Sequence, residues 1–263
     1  DESVRLNTET DSRLGKPLYL GAFVGDELIG FNAYIAHACH WQGERRLAYQ
    51  SCWSGVARGH RGKKVFFELQ RAAREPLRQR GALGIIGLPN ERSGPILTGP
   101  LGYEPHGGYL RTSLLVPGWR LPLAKGVEML STPADALFPD PHQLLRLKQQ
   151  QPDRHILSMS DAQGNLIWGK FAKVKKGPIR LRHFLVGGLD LAEPGHLPRL
   201  LQDMARKHRI RLMSFVYHHS STYHHLFKKS RPSDSGYLCW YPLNVRAGEI
   251  TKFDLLAGLS DVF

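Results

Sequence analysis

The chain has 263 residues, with 36 Lys and Arg against 23 Asp and Glu, a formal net charge of +13. Hydrophobic residues make up 41% and aromatics 10%, so material for a packed core is present and wholesale disorder is excluded. No run approaches the roughly 18 to 20 apolar residues that span a bilayer, which excludes membrane insertion through helices. Three cysteines (Cys39, Cys52, Cys239) are too few and too scattered for a disulfide framework or a CxxC metal knuckle, so a reducing, cytoplasmic compartment is expected. The chain opens at Asp1 rather than Met, and the expectation is that some native N-terminus is missing. The excess positive charge favours an anionic partner: nucleic acid, phosphorylated small molecules or an acidic membrane surface.

In chain order, residues 18–24 form an apolar strand, Gly25-Asp26-Glu27 a turn, and residues 28–36 the returning strand of a hairpin. Residues 47–56 read as a third strand. A basic loop, Arg58-Gly59-His60-Arg61-Gly62-Lys63-Lys64, leads into Val65, Leu69, Ala72 and Ala73 at helical spacing, with a kink or early end expected at Pro76. Residues 84–88 make a short buried strand and 109–116 another. The Pro-rich stretch 120–141 reads as a linker. A second set follows: a hairpin over 155–160 and 166–174, a strand over 179–186, a helix over 198–207, a strand over 210–217, a short helix over 225–229 and a final strand over 237–243. The two halves share one order of elements, as an ancient repeat would. The division expected is a domain over 1–118, a linker over 119–141 and a second domain over 142–263.

The segment 51–69 carries the chemistry. A strand that runs through Arg61-Gly62-Lys63-Lys64 into a helix aims backbone N–H groups and a helix dipole at one point, an anion site suited to a pyrophosphate. Neither GxxxxGK[ST] nor GxGxxG is present. A solvated basic loop is the alternative for these residues taken alone.

Further on stand Gly84-Ile85-Ile86-Gly87-Leu88-Pro89-Asn90-Glu91-Arg92-Ser93 and Leu101-Gly102-Tyr103. With them, the stretch from about Tyr19 to Val116 resembles the GCN5-related N-acetyltransferase (GNAT) superfamily. That family's pyrophosphate motif, Arg/Gln-x-x-Gly-x-Gly/Ala, aligns with Arg61-Gly62-Lys63-Lys64-Val65-Phe66. Its later Asn, a small residue three positions on and a terminal Gly-Phe/Tyr align with Asn90, Ser93 and Gly102-Tyr103. Lys64 and Phe66 stand where the family prefers small residues, and no tyrosine precedes Gly102 where the family often keeps a general acid. The helices that often shape the acceptor pocket are missing before the first hairpin or reduced to residues 1–17.

The resemblance implies a mixed α/β fold of two tandem GNAT-like domains, each a mostly antiparallel sheet flanked by helices. It also implies acetyl-CoA or a longer acyl-CoA as donor, with no metal. Trp53, Ser54, Val56, Arg61, Gly62, Lys63, Lys64, Val65, Asn90 and Ser93 would hold the coenzyme, and amides around Trp53 to Val56 would polarise the thioester carbonyl. An amine attacks directly. His37, His40 and Glu91 are the candidate bases, with Gln50, Ser51 or Ser54 ordering a relay water, and Tyr103 is the nearest acid for the leaving thiolate. Each has a structural alternative: surface histidines for His37 and His40, a core aromatic for Tyr103, and for Cys52 a small core hydrophobe rather than a nucleophile.

The second half has Asp190 and Glu193 at its strand–helix junction and no basic residue before Arg199, so it would repel a pyrophosphate and instead wall the acceptor pocket. In the cluster Tyr217-His218-His219-Ser220-Ser221-Thr222-Tyr223-His224-His225, zinc ligation lacks a Cys partner or HExxH spacing. His218, His219 and Tyr223 read as an acceptor wall or a solvated loop. The tandem pattern resembles acyltransferases of surface-polysaccharide pathways, which implies an amino sugar, nucleotide-linked, as the amine partner. An amino acid or protein amine is the alternative acceptor. Two other classes stay open: a pseudoenzyme, and a nucleic-acid-binding module built on the basic loops and aromatics, though no helix-turn-helix, KH or RRM signature is present.

Overall fold

The structure, a computed structural model, describes residues 15–116, 135–151, 154–176, 178–227, 231–256 and 258. Apolar strands punctuated by glycine turns open it: β1 (Leu18–Val24), a turn at Gly25 with φ 58°, then β2 (Glu27–Trp41). A second turn at Gln42-Gly43, both in the left-handed region, returns the chain as β3 (Glu44–Val56). Two helices follow, α1 (Val65–Ala72) and α2 (Arg74–Gln79), then β4 (Gly84–Gly87), α3 (Gly94–Thr98) and β5 (Glu104–Leu115). The helix breaks at Ala73, ahead of Pro76, which is placed in the first turn of α2 where a missing N–H costs nothing.

The chain continues as β6 (Ala136–Pro139), α4 (Pro141–Gln149), β7 (Ile156–Ser160), β8 (Leu166–Lys176), β9 (Ile179–Asp190), α5 (Leu197–His208), β10 (Leu212–His218), β11 (Arg231–Pro242) and β12 (Lys252–Phe253). Residues 119–134 of the expected linker lie outside the described residues, but its end is structured. Asp140 caps α4 by accepting from the amides of His142 and Gln143, and Pro141 occupies the first helical position. A 3₁₀ turn over Thr222–Leu226 stands where a short helix was expected slightly later; residues 228–230 lie outside the described residues. Among the described residues no helix is long and apolar enough to cross a membrane.

Two compact units are present, residues 1–107 with 236–251, and residues 108–235 with 252–263. In the first, β1, β2 and β3 run antiparallel, β3 pairs in parallel with β4, and β4 pairs antiparallel with residues 239–242 of β11. In the second, β7, β8 and β9 run antiparallel, β9 pairs in parallel with β10, and β10 pairs antiparallel with residues 109–115 of β5. Each unit therefore pairs one of its strands with a strand from the other half of the sequence. The parallel pairs enclose α1–α2 and α5, the crossover that parallel neighbours require. Tyr34, Tyr49, Leu77, Ile85 and Tyr103 centre the first core. Leu197, Leu200, Leu201 and Met204 of α5, at helical spacing, fill the second against Phe184, Met213 and Phe215.

Candidate active site

The site begins where two parallel strands of the first unit part. β3 and β4 pair only as Tyr49–Ile85, Gln50–Ile86 and Ser51–Gly87. Beyond Ser51, β3 runs on to Val56 with no β4 residue paired to it, so from Trp53 to Val56 that edge lies outside the β3–β4 ladder. A bulge falls two residues past the last pair: Ala33 faces Cys52 and Phe31 faces Gly55, so Trp53 and Ser54 together oppose Asn32. Trp53 takes φ 47°, the left-handed conformation that lets a bulge re-aim its backbone.

The basic loop closes the open end. A 3₁₀ turn at Arg58–His60 leads through Gly62 (φ 80°) and Lys64 (φ 61°) into α1, and residues 61–64 are exposed. Lys64, aligned with the motif's glycine, thus adopts a conformation that glycine would hold without strain. The first amides of α1 have no acceptor within the helix, and Lys64 offers them no side-chain cap. At Gly30 an added Cβ would lie 2.6 Å from Val65 Cγ1, so β2 needs a glycine for α1 to start this close to the sheet. Arg61 donates through Nε to the Val56 carbonyl at 3.2 Å, which ties the loop to the end of β3. These residues fit a diphosphate: an open left-handed turn, helix-start amides and the cations Arg61, Lys63 and Lys64 at one corner.

Behind the fork runs a chain of side chains. Tyr103 donates to Gln70 Oε1 at 2.9 Å, while Gln70 Nε2 and Asn32 Nδ2 donate to Ser51 Oγ at 3.0 and 3.2 Å. Asn32 and Gln70 were invisible as site residues in the sequence, because only β2–β3 pairing brings the first to Ser51 and only the packing of α1 on the sheet brings the second. Ser51 is therefore engaged with protein partners. Gln50, on the opposite face of β3, is buried and bonds His37 Nε2 at 3.1 Å. Ser54 is exposed in the bulge.

The histidines lie elsewhere than expected. His37 pairs with Ala48 and is buried, and His40 pairs with Arg45, near the hairpin turn at the opposite end of β3 from the bulge. Position 45 is six residues before Ser51, roughly 20 Å along a strand. The antiparallel register carries the end of β2 that holds His40 away from the fork, which corrects the reading of His40 as a candidate base there. Tyr103 is a core group, 2% exposed, whose burial pushes the phenol pKa well above its ordinary range, and its ring meets that of Tyr241 at 5.3 Å, tilted by 50°. Its hydroxyl proton is committed to Gln70 Oε1 within the core, so the core-aromatic alternative is the one its surroundings support. Cys52 is buried with Ala33 and Ile35, as a small hydrophobe.

Asn90 and Ser93 spend their side chains on each other. Asn90 Oδ1 accepts from the amides of Arg92 and Ser93 at 3.0 Å, and the Asn90 amide donates to Ser93 Oγ at 3.1 Å. They shape the loop that leaves β4, on which Glu91 is exposed.

In the second unit His218 is fully buried, its Nδ1 2.8 Å from Ser220 Oγ and its ring against Tyr109, His219 and Phe253. It is thus a core histidine rather than a wall. His219 is exposed, and Tyr223 lines a cavity described below. Among the described residues no three His, Cys, Asp or Glu side chains converge as a metal site.

No protein-family model and no curated protein matches the sequence. Solved structures match its fold. A GCN5-related N-acetyltransferase from Kribbella flavida superposes with TM-score 0.61 at 17% identity, over 86% of this chain and 59% of that one. A GCN5-related N-acetyltransferase from Anabaena variabilis gives 0.58 at 11%, over 86% and 63%, and Eis1 from Mycobacterium abscessus gives 0.54 at 14%, over 94% and 71%. The chain spans less than two thirds of the length of the first two. The mixed, mostly antiparallel sheet flanked by helices therefore has the fold of these N-acetyltransferases.

Proposed function

We propose that the protein is an N-acyltransferase that takes an acyl group from acyl-CoA to a primary amine. The observation that carries this is the fork itself: parallel pairing that stops at Ser51–Gly87, a bulge at Trp53, and a helix start with left-handed Gly62 and Lys64 at its open end. The diphosphate would rest on the α1 amides and the cations of residues 61–64, and the pantetheine would hydrogen-bond the free edge of β3. Amides at Trp53 to Val56 would stabilise charge on the thioester oxygen. The amine nitrogen attacks the carbonyl carbon, the C–N bond forms as the C–S bond breaks, the amine gives up a proton and the thiolate receives one. Glu91, on the loop past the fork, is the base that the placement of the candidates favours. The acceptor we infer is an amino sugar, nucleotide-linked, because a +13 surface accommodates two phosphorylated ligands and repels polycations.

The test is calorimetric titration with CoA, then thiol release from acetyl-CoA with a panel of amino sugars, amino acids and lysine peptides. CoA should bind, and Arg61→Ala with Lys63→Ala should weaken it at least about tenfold. Glu91→Gln should lower kcat by about 10² or more at unchanged CoA affinity. Absence of CoA binding would end the donor reading. Thiol release with lysine peptides alone would replace the sugar.

A further inference from the structure

The second unit repeats the fork. β9 and β10 pair in parallel from Leu212–His183 to Phe215–Val186 and no further. A bulge follows at once, since Val186 faces Gly169 and Gly188 faces Trp168, leaving Gly187 as the extra residue. In the first unit a bulge likewise follows the last parallel pair, one residue further along the strand. The space opened in the second unit is partly taken by the C-terminal segment: the His218 amide donates to the Leu255 carbonyl at 3.0 Å, and Tyr217 bridges to Leu256.

A cavity of about 350 Å³ remains beside it, within the size range of small-ligand sites. Its floor is the end of β9, from Gly187 to Asp190, and Phe138, Leu144 and Leu256 give it apolar walls. Its polar groups are Asp190, Asp254, Thr222 and Tyr223, and no Lys, Arg or His is among the described residues that line it. Asp254 is 8% exposed and is held by the hydroxyls of Ser221 and, at 3.1 Å, Thr222. Asp190 is half-exposed, 2.8 Å from His142 Nε2. Burial, and then the charges of Asp254 and Asp190, push the Tyr223 phenol well above its ordinary range, which places that hydroxyl in the field of both carboxylates. The corresponding corner of the first unit carries Arg61, Lys63 and Lys64, so one backbone device presents opposite chemistry in the two units.

We propose that this cavity of the second unit is a binding site for a small organic cation, an alkylammonium whose charge meets Asp254 and Asp190 and whose carbon chain lies against Phe138, Leu144 and Leu256. The inference does not depend on the transferase reading. A carboxylate whose geometry two hydroxyls fix is preorganised for an ammonium, and a phenol adds an acceptor oxygen. Apolar walls exclude a strongly hydrated inorganic cation and reward a chain of several carbons.

The probe is n-hexylammonium, with n-hexanol and hexanoate as shape-matched controls, titrated calorimetrically into the full chain at low salt. One equivalent of hexylammonium should bind, with hexanol at least about tenfold weaker and hexanoate weaker still. Asp254→Asn should weaken hexylammonium at least about tenfold. Since Asp254 also holds the 222–226 turn, Ala192→Trp at the exposed rim serves as a second variant, which should block binding with an unchanged circular dichroism spectrum and melting temperature. Arg61→Ala in the first unit should leave hexylammonium affinity as it is. No binding to the unaltered chain, equal binding of hexanol, or binding that survives both Asp254→Asn and Ala192→Trp would each overturn the proposal.

Discussion

Lys64 shows how one residue can be out of keeping with its backbone and still mark the site. A non-glycine residue at φ 61° brings its Cβ close to its own carbonyl, at a cost of about 1 kcal/mol. An added Cβ at neighbouring Gly62 would meet nothing, so space is not what restricts this turn; backbone conformation is. Lys64→Gly is therefore expected to stabilise the first unit by about 1 kcal/mol, less what the more flexible unfolded chain takes back. Urea unfolding followed by tryptophan fluorescence measures it, and a loss of stability would contradict the left-handed assignment. The pyrophosphate motif was legible here because its chemistry is local: a strand, a turn and a helix start within a dozen residues. Asn32 and Gln70 were not, since one lies on a neighbouring strand and the other a full turn into α1, and nothing in their sequence neighbourhoods marks them.

At the scale of elements, the β8–β9 hairpin carries an electrostatic burden. Lys173 lies opposite Arg182, and Lys175 opposite Arg180. Like charges directly across a strand pair repel, and opposite charges there attract by up to about 1 kcal/mol. Lys173→Glu should raise the melting temperature, and the gain should shrink in 1 M salt; a salt-independent change would assign the effect to packing instead. The same hairpin supplies a pH response. His183 on β9 lies 2.9 Å from Ser214 Oγ, and burial, then the charge of Arg111, hold its pKa below the ordinary value. The unfolded chain therefore binds a proton at His183 that the native state resists. Stability from this group is complete above about pH 6.5 and falls as the pH drops through that value toward the native pKa. Melting temperature measured from pH 8 to 5 should fall less for His183→Gln than for the unaltered chain. An equal fall in both would place the acid sensitivity elsewhere. Most strands were legible from apolar runs and turn residues. α4 was missed although Asp140-Pro141 is a cap and start signal, because proline on both sides of Asp140 reads as linker when no partner for Leu144 and Leu147 is known.

For the molecule as a whole, the decisive feature is that each unit pairs one of its strands with a strand from the other half. β4 is buried throughout and has residues 239–242 of β11 on one side. Residues 1–118 expressed alone would expose that edge of a fully apolar strand, a template for aggregation. They are expected to be insoluble or to lack a cooperative melting transition, and supplying residues 231–251 in trans should restore solubility. A monomeric, cooperatively folding 1–118 fragment would show that the pairing is dispensable.

The sequence by itself determined the order of strands and helices, the turn chemistry and the basic strand–helix junction, because these rest on contacts between residues close along the chain. It determined the class of backbone device as well, through motif spacing. The tertiary structure decided the rest. The β2–β3 register removed His40 from the fork, core packing turned Tyr103 and His218 into structural groups, and long-range pairing joined strands from the two halves. It also put Asp190 and Asp254, 64 positions apart, around one cavity. Such outcomes depend on which distant surfaces bury each other, and the free energy that selects them is carried by contacts that local sequence does not encode.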